Sequence, residues 1–521
     1  MAMEVLLSFL LVGIFVLALW FYNRAWVRPE RIRRKLRRQG IGGPPPEFLH
    51  GNLKDAKMSV MEEKSRRDGG EKIKHDYASY IFPYFEKWRK EYGQIFLYTM
   101  GNVPMLHVSN IEMVREMNLC KSLDLGKATY LQRTHEPLFG HGILKSNGES
   151  WAYQRKIIAP EFFMEKVKGM VELMVDSASL LLDSWGRRVE EGGGKAEIKV
   201  DDDLKSYSAD VISRASFGSS YSKGKQIFFK LYQLKKAVSK PNLLVEITGI
   251  RHIPTRRNRE VWRLNREIRS LILEVVRDGS IAGGRKVPEN NLLQAILGSA
   301  SDAGGNGGDG EAEDFVVDNC KTIYFAGHET TAVAAMWCLL LLAVHTDWQE
   351  RVRNEAVELC GGGPPDGQSL LKMKTMTMVI QETLRLYPPG PVVSREALRD
   401  MKLGGILLPK GINIFVPVLT LHQDPAVWGP DAGEFRPERF ANGVVAACRS
   451  PQMYVPFGAG PRTCLGQNFA MVELKIVLSL ILQMFSFSLS PAYRHSPALR
   501  LIVEPEHGVD LIVKKVDNGY A

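Results

Sequence analysis

The chain has 521 residues, of which 45% are apolar and 24% are charged, proportions that exclude a disordered or fibrous protein and fit a folded globular one. Its net charge of +10 comes mainly from one short block, and without a nucleic-acid-binding motif it favours anionic lipid or an acidic protein partner. Six scattered cysteines without a Cys-x-x-Cys pair argue against a disulfide framework or a zinc site, and indicate reduced thiols in the cytosol.

The first predicted element is a membrane-spanning helix. Val5–Tyr22 is apolar except for Ser8, and at about 1.5 Å per residue it extends roughly 27 Å, close to the hydrocarbon thickness of the endoplasmic reticulum bilayer. Basic residues follow it at Arg24, Arg28, Arg31, Arg33, Arg34, Lys35, Arg37 and Arg38. A cleaved signal peptide, the alternative, carries its charge before the apolar run, where only Glu4 lies here. The positive-inside rule therefore predicts a single-pass signal anchor over 1–22, with the remaining chain in the cytosol.

A basic stretch and a proline-rich hinge, residues 23–46, follow the anchor. Proline fixes φ and has no backbone N–H, so Gly42–Pro46 predicts a stiff, non-helical connection. Residues 47–521 show no strong internal break and predict one large domain, mainly α with small β-sheets (α+β). Long helices are expected over Phe315–His345 and Asp347–Leu359.

Short β features interrupt this helical pattern. Phe96–His107 predicts a hairpin, Ile406–Leu421 predicts two extended pieces, and Leu501–Val513 predicts a late hairpin. Gly298–Glu313 is of low complexity and predicts a mobile surface loop.

Residues 457–466 read FGAGPRTCLG, a glycine-punctuated loop that delivers one cysteine to the start of an apolar helical segment. A helix start beside Cys464 offers free N–H groups and a positive dipole end, which stabilise a thiolate. The glycines Gly458, Gly460 and Gly466 let the backbone approach a flat ligand closely. Thiolate ligation of haem iron favours cleavage of a bound O–O bond. The alternative for the loop alone is a buried cysteine in a glycine-rich turn.

This loop resembles the haem-binding loop of the cytochrome P450 superfamily, Phe-x-x-Gly-x-Arg-x-Cys-x-Gly. The five fixed positions all match, at Phe457, Gly460, Arg462, Cys464 and Gly466. The resemblance covers essentially the whole chain, and it implies the cytochrome P450 fold: a single haem-binding domain behind an N-terminal transmembrane helix. It also implies haem b as the cofactor, with Cys464 as the axial ligand of the iron.

Two segments upstream resemble the network that supports this loop in the family. Glu382 and Arg385 lie one helical turn apart and share a face. Arg439, in the segment FRPERF, resembles the arginine that completes a Glu–Arg–Arg network. The resemblance implies that these three residues hold the cysteine loop and act on the chemistry only through haem retention.

The segment AGHETT, residues 326–331, lies inside the long predicted helix, where glycine and β-branched residues are unfavourable. The matching segment in the family lies over the oxygen-binding face of the haem. The resemblance implies that Gly327 makes room for dioxygen, that Thr330 supplies a hydrogen bond there, and that Glu329 belongs to an acid relay for protons. The alternative is a capping-like cluster at a helix break.

Indole N–H and guanidinium groups suit carboxylates, and four residues match the positions that contact the haem propionates in the family. They are Trp151, Arg155, Arg395 and Arg462. Each arginine taken alone also fits an ordinary surface position.

The implied reaction is the insertion of one oxygen atom from dioxygen into an organic substrate, while the other leaves as water. The two electrons must come from another protein, because no dinucleotide or flavin pattern is present. The resemblance implies NADPH–cytochrome P450 reductase, on the cytosolic face of the endoplasmic reticulum membrane.

Closer resemblance is to a plant group that oxidises gibberellins and related diterpenoid acids, and 13-hydroxylation is the favoured reaction. Gibberellin 16,17-epoxidation and hydroxylation of a cytokinin or brassinosteroid are the alternatives. The segments that carry this resemblance are 33–52, 122–127, 151–163 and 326–331. Those expected to face the substrate are Thr134–His141, Tyr324–Phe325, Pro391–Val393 and His507–Val509.

Two other classes remain open. A hydroperoxide-rearranging isomerase would keep the fold but typically lacks the Glu329–Thr330 pair. A non-catalytic haem membrane protein would bind haem and turn nothing over.

Overall fold

A computed structural model describes residues 2–66, 73, 75–218, 221–238, 254–281, 292–303 and 309–516. The α-helices in these ranges are α1 Ala2–Tyr22, α2 Arg28–Arg37, α3 Leu53–Arg66, α4 Ala78–Ile81, α5 Pro83–Tyr92, α6 Ile111–Leu119, α7 Thr129–Thr134, α8 Glu136–Phe139, α9 Gly148–Ile158, α10 Met164–Lys168, α11 Val171–Glu191, α12 Asp201–Phe217, α13 Tyr221–Val238, α14 Arg256–Ile281, α15 Leu292–Ala303, α16 Asp309–Val344, α17 Thr346–Cys360, α18 Gly367–Lys372, α19 Lys374–Leu386, α20 Val418–Gln423, α21 Pro425–Trp428, α22 Val444–Ala447 and α23 Gln467–Met484. The strands are β1 Ile95–Met100, β2 Val103–Val108, β3 Leu125–Gly126, β4 Lys195–Lys199, β5 Val392–Ala397, β6 Met401–Leu403, β7 Ile406–Leu408, β8 Asn413–Pro417, β9 Phe485–Leu489, β10 Pro497–Arg500, β11 Ile502–Pro505 and β12 Asp510–Lys515.

The strands form small sheets beside a helical core, as the sequence predicts. The largest has the order β1-β2-β8-β5-β3, in which only the β2–β8 pair is parallel. The predicted hairpin over Phe96–His107 is confirmed: Met100 pairs with Val103, and Gly101 turns the chain with a φ of 61° that glycine adopts without strain. The two extended pieces predicted over Ile406–Leu421 are confirmed as β7 and β8, but the prediction is wrong at its end, where Val418–Leu421 belongs to helix α20.

The predicted late hairpin over Leu501–Val513 is wrong. Strand β11 pairs with the preceding strand β10, and Leu501 lies in that turn with a φ of 78°. Strand β12 pairs with β4 and β9 instead. Alternation identifies strands but not their partners, and here the apolar alternation of β12 is satisfied by a different sheet.

The predicted loop over Gly298–Glu313 is also wrong in its described part. Helix α15 continues through Ala303, and α16 already begins at Asp309, while 304–308 lie outside the described residues. The described parts contain only Gly298 and Gly310 of the segment's glycines, and α15 is held to the core by Leu293 and Ile296, which are buried there.

The N-terminal helix is exposed over its apolar length. Helix α1 continues through a short π-helical turn into α2, so that Ala2–Arg37 forms one 36-residue helix with a mean hydropathy of 2.6, none of whose apolar window is buried. Two other helices are long and apolar enough to span a membrane, Gly310–Val344 and Gln467–Met484, but 78% and 67% of their windows are buried. The first is therefore the membrane-anchor helix, and the other two form the core.

The connection after the anchor packs against the domain. Arg33 is 2% exposed and its Nη1 donates to Thr99 Oγ1 at 3.2 Å. Gln39 exchanges two side-chain hydrogen bonds with the backbone of Leu407, at 2.9 and 2.8 Å. Leu97 N–H donates to the Gly42 carbonyl at 2.8 Å. The segment predicted as a hinge is non-helical at its glycines and prolines, and these bonds hold the connection to β1 and β7.

Helix α16 crosses α12 at very short range where the AGHETT segment lies. A Cβ atom added at Gly327 would lie 2.6 Å from Ile212 side-chain carbons, closer than real contacts allow. The glycine therefore permits this close contact between α16 and α12, which fixes the position of the AGHETT segment in the core.

Candidate functional site

The cysteine loop is a tight turn that ends at the start of α23. Cys464 N–H donates to the Phe457 carbonyl at 2.8 Å, and Thr463 N–H donates to the Gly460 carbonyl at 3.0 Å. Gly460 has a φ of 71°, and an added Cβ would lie 2.3 Å from the Asn118 carbonyl oxygen. Only glycine fits this position, which explains the spacing of the motif.

Cys464 lies at the expected helix start but within a desolvating environment. Its side chain has accessible surface although protein surrounds it, as expected for a residue that lines an internal cleft. Burial raises the pKa of the Cys464 thiol, while the Gly466 N–H and the charges of Arg155 and Lys127 lower it. The helix start, which the sequence predicts to stabilise the thiolate, is therefore only one contribution to this pKa, and burial outweighs it.

The structure brings the three predicted network residues together. Glu382 and Arg385 are fully buried on α19 and form a bidentate pair, Nε–Oε2 at 2.7 Å and Nη2–Oε1 at 2.8 Å. Arg439 Nε lies 3.4 Å from Glu382 Oε1. The remaining donors of Arg385 reach the carbonyls of His422, Ala432 and Glu434 at 2.6–2.9 Å. The network therefore fixes the chain that precedes the cysteine loop.

His422 connects this network to the loop, and the sequence reasoning missed it. Its Nε2 accepts from Val455 N–H at 2.9 Å, so Nδ1 carries the proton and donates to the Arg385 carbonyl at 3.1 Å. Burial, and then the Arg385 charge, lowers the pKa of His422 to about 3, which keeps it neutral. Nothing in the local sequence distinguishes this histidine, because its partners are 33 and 37 residues away.

Beside the loop, the predicted propionate residues form one cationic group. Trp151 is 7% exposed and carries the Arg155 and Arg462 guanidinium groups 5.7 and 4.2 Å from its ring centroid. Burial lowers the pKa of Arg395 to about 10, and burial together with Arg395 and Arg155 lowers that of Arg462 to about 10. Lys127 adds a further cation, and its pKa is lowered by burial and by the charges of Arg395, Arg462 and Lys145.

This cationic group has no carboxylate partner in the described part of the chain. None of Arg155, Arg395, Arg462 and Lys127 has a carboxylate oxygen within 4.0 Å there. Clustered, partly desolvated cations require anions, and a thiol nearby lines an internal cleft. A planar ligand with two carboxylates and a metal that accepts sulfur satisfies both requirements. The residues present therefore fit haem b.

One face of α16, which we call the open face, is partly exposed, while the residues before and after it on the same helix are buried. Ala326 is exposed and Gly327 and Thr330 are half-buried, although Ile323–Phe325 and Ala332–Ala343 are buried. Thr330 Oγ1 donates to the Ala326 carbonyl at 2.7 Å, so its hydroxyl lies on the open face. An open face in the middle of a core helix indicates that it lines internal space.

Glu329 does not share that face. It is 4% exposed, and its Oε2 lies 2.6 Å from Lys235 Nζ of α13. Burial raises the pKa of Glu329, but Lys235 and His328 outweigh it and the pKa is lowered. Lys235 also lies 3.5 Å from Glu504. The residue is therefore an ion-paired carboxylate in this arrangement, and its partner is 94 residues distant, beyond the reach of sequence reasoning.

Two of the predicted substrate segments meet beside the open face. Phe139 packs edge-on against Phe325 with ring centroids 5.1 Å apart, and Tyr324 stacks on Phe217 at 4.2 Å. The segment His507–Val509 packs at the start of α12, where Val509 N–H donates to Asp201 Oδ2 at 2.9 Å. The aromatic wall is therefore built by α8, α12 and α16.

Glu473, on the helix that follows Cys464, is a buried acid that the motifs do not predict. It is 0% exposed, and neither carboxyl oxygen has a hydrogen-bond partner within the described ranges. Burial raises its pKa to about 8, although the neighbouring Ser208 lowers it. Ser208 Oγ donates to the Gly327 carbonyl at 3.2 Å. Glu473 is therefore protonated at neutral pH.

Glu473→Gln is expected to make the protein less sensitive to alkaline pH. The folded pKa lies above the unfolded one, so wild-type stability falls as pH rises from about 4.5 toward 8, by on the order of 1 kcal/mol per pH unit. Thermal unfolding at matched haem content should show a larger gain in Tm for the variant at pH 8.5 than at pH 6. Glu350→Gln, at an exposed position, is the control. An equal change at both pH values would contradict the burial argument.

A helical domain with small sheets, an exposed N-terminal anchor helix, and a cysteine loop beside cations that have no carboxylate partner among the described residues together define the class of membrane-associated haem-thiolate proteins. The sequence model of the cytochrome P450 family matches residues 73–513, and the chain belongs to this family. It is therefore a monooxygenase that uses haem b, with electrons supplied from NADPH by a reductase.

Relatives extend the match over the full length. The chain is 56% identical over 536 residues to cytochrome P450 714B2 of Oryza sativa subsp. japonica, covering 100% of this chain and 98% of the relative. It is 57% identical over 527 residues to cytochrome P450 714B3 of Zea mays, covering 99% and 97%. It is 46% identical over 506 residues to cytochrome P450 714A2 of Arabidopsis thaliana, covering 96% of each.

Proposed function

We propose that this cytochrome P450 hydroxylates a gibberellin or related diterpenoid acid, at C13, with Cys464 as the thiolate ligand of the haem iron. The cationic group beside the cysteine loop, which meets no carboxylate of the described ranges, is the observation that supports haem at this place. The substrate class rests on the resemblance to gibberellin-oxidising plant enzymes and on full-length relatives that carry the 714 designation.

Different residues around the cleft would bind different parts of the cofactor. Arg155, Arg395 and Arg462 would pair with the propionates, with Trp151 as the platform for two of them. Phe457 and Gly466 would shape the loop around the sulfur. When bound, the haem supplies activation of dioxygen, which the thiolate promotes by electron donation. Glu382, Arg385 and Arg439 would maintain this loop through His422.

The residues on and beside the open face of α16 would take part in proton transfer to the cleft. The Thr330 hydroxyl donates its one proton to the Ala326 carbonyl, so its oxygen can accept a hydrogen bond from a water or a protonated group at the cleft. Glu329 would take part in the relay only after it takes up a proton and leaves its ion pair with Lys235, because it is ionised and lies off this face. Gly327 lets this turn pack closely against Ile212 of α12, which sets its position beside the cleft.

The anchor helix would place the enzyme in the endoplasmic reticulum membrane. Its apolar length and the basic residues that follow favour a cytosol-facing domain. There it would receive electrons from NADPH–cytochrome P450 reductase and take lipophilic substrate from the membrane phase.

Feeding labelled gibberellin precursors to microsomes that contain this protein and its reductase tests the proposal. Mass spectrometry of the products should show a 13-hydroxylated gibberellin that depends on NADPH. A 16,17-epoxide would keep the substrate class and change the reaction. Products only from cytokinin or brassinosteroid panels, or NADPH-independent turnover of a hydroperoxide, would overturn the proposal.

Thr330→Ala is expected to uncouple electron use from product formation. The haem contacts are untouched, so the carbon-monoxide spectrum should persist, while a several-fold larger share of NADPH electrons ends in hydrogen peroxide or water. Thr331→Ala, one residue along and buried, is the matched control. Normal coupling in the Thr330 variant would exclude the proton-delivery role.

A further inference from the structure

Lys145, between α8 and α9, is a buried lysine that has no carboxylate partner in the part of the chain that the structure describes. The residue is 9% exposed, and its Nζ donates to the Leu131 carbonyl of α7 at 3.1 Å. No carboxylate oxygen of a described residue lies within 4.0 Å of it. An ammonium group has three donors, so one neutral carbonyl leaves its charge uncompensated. Burial alone lowers the pKa of Lys145, to about 8.

The ammonium lies at the aromatic wall of the proposed substrate site. Its Nζ is 5.4 Å from the centroid of the Phe139 ring, which packs edge-on against Phe325 at 5.1 Å. Phe325 directly precedes Ala326, the exposed residue on the open face of α16. The carbonyl of Lys145 accepts from the Gln132 side chain, which also ties the residue to α7. The ammonium is therefore held between α7 and α8 by the Leu131 carbonyl and the Phe139 ring, and it cannot swing to bulk solvent without breaking these two contacts.

The cationic group proposed to bind the haem propionates already contains three arginines, without counting Lys145. Arg155 and Arg462 lie on Trp151, and burial dominates the shifted pKa of Arg395 next to them. Lys145 makes its direct contacts with α7 and α8 instead, although its charge contributes to lowering the pKa of Lys127. One cation thus lies beyond the propionate arginines, on the side of the predicted substrate segment.

We infer that Lys145 recognises a carboxylate of the substrate, so that the enzyme selects lipophilic acids over neutral molecules of the same shape. The inference rests on the proposed function, since a gibberellin supplies such a carboxylate. A charge pair formed in a desolvated site between aromatic rings is strong, and the ester of the same acid leaves the lysine unpaired. The same chemistry is also present in a haem propionate, and the experiment must separate the two sources.

Spectral titration of the haem-loaded, full-length protein in nanodiscs makes this separation. The ligands are a gibberellin precursor and its methyl ester, and the variants are Lys145→Met and Lys145→Arg, with the exposed Lys87→Met as control. Wild type and Lys87→Met should bind the acid at least tenfold more tightly than the ester. Lys145→Met should weaken acid binding at least tenfold, leave ester binding and haem content unchanged, and Lys145→Arg should restore part of the acid preference.

The other possible results show whether the inference about Lys145 or the proposed function is wrong. Equal binding of acid and ester by wild type overturns the inference without any variant, so a poorly folding variant does not decide the matter. Lower haem content in Lys145→Met with unchanged acid affinity in the loaded fraction assigns the lysine to a propionate and also overturns it. Wild type that neither binds nor oxidises any gibberellin overturns the proposed function, and the inferred substrate class with it.

Discussion

Cys464→Ser is expected to abolish the thiolate-type reduced carbon-monoxide difference spectrum and all NADPH-dependent product formation. The change removes one sulfur atom and keeps the loop geometry, since the bond from the residue 464 N–H to the Phe457 carbonyl does not involve the side chain. A serine hydroxyl does not donate electron density to iron as a thiolate does, so the chemistry is lost even where haem remains bound.

The measurement is the carbon-monoxide difference spectrum at matched protein and haem concentrations. Cys448→Ser is the matched control, because Cys448 is a half-buried cysteine whose pKa is raised by burial, outside the loop. Its spectrum should equal that of wild type. A thiolate-type spectrum that survives in the Cys464 variant would show that another residue ligates the iron.

Arg385→Ala is expected to prevent accumulation of folded, haem-loaded protein. Glu382, fully buried, would keep a carboxylate with only the Arg436 N–H and the longer Arg439 contact, and three backbone carbonyls would lose their donor. Breaking a buried pair costs about 3–5 kcal/mol, against a total stability of about 5–15 kcal/mol for a typical domain. No other described group can replace the guanidinium of Arg385, so this loss of stability is not compensated.

Arg385→Lys sharpens the same prediction. An ammonium cannot form the bidentate pair and reach three carbonyls at once, so thermal stability and haem retention should fall well below wild type. Arg351→Ala is the control: its 3.4 Å contact with Glu438 is exposed and should contribute about 0–1 kcal/mol. Wild-type Tm and haem content in Arg385→Lys would remove the support role of the network.

The sequence was most informative where function is confined to short segments. The turn of FGAGPRTCLG needs glycine at Gly460 because the Asn118 carbonyl leaves no room for a Cβ, so a local pattern records a tertiary contact. Glu382 and Arg385 share a helix face, which spacing alone reveals. The hairpin of β1 and β2 was equally local, since alternation and a glycine turn define it.

What sequence could not supply depends on partners far along the chain. The Glu329–Lys235 pair and the link through His422 each join residues from different elements, and neither lysine nor histidine lies in a recognisable motif. Strand β12 shows the same limit, because its alternation fits any sheet edge. The role inferred for Lys145 depends on its burial and on the absence of a described carboxylate beside it, and neither property is visible in the local sequence.

Incubation with ¹⁸O₂ tests the central claim most directly. Microsomes containing this protein, its reductase and NADPH would receive a gibberellin precursor, and the product would be analysed by mass spectrometry. The account predicts one labelled oxygen atom in a hydroxylated gibberellin, lost in the Cys464→Ser variant. An unlabelled product, or the same labelled product from the serine variant, would contradict it.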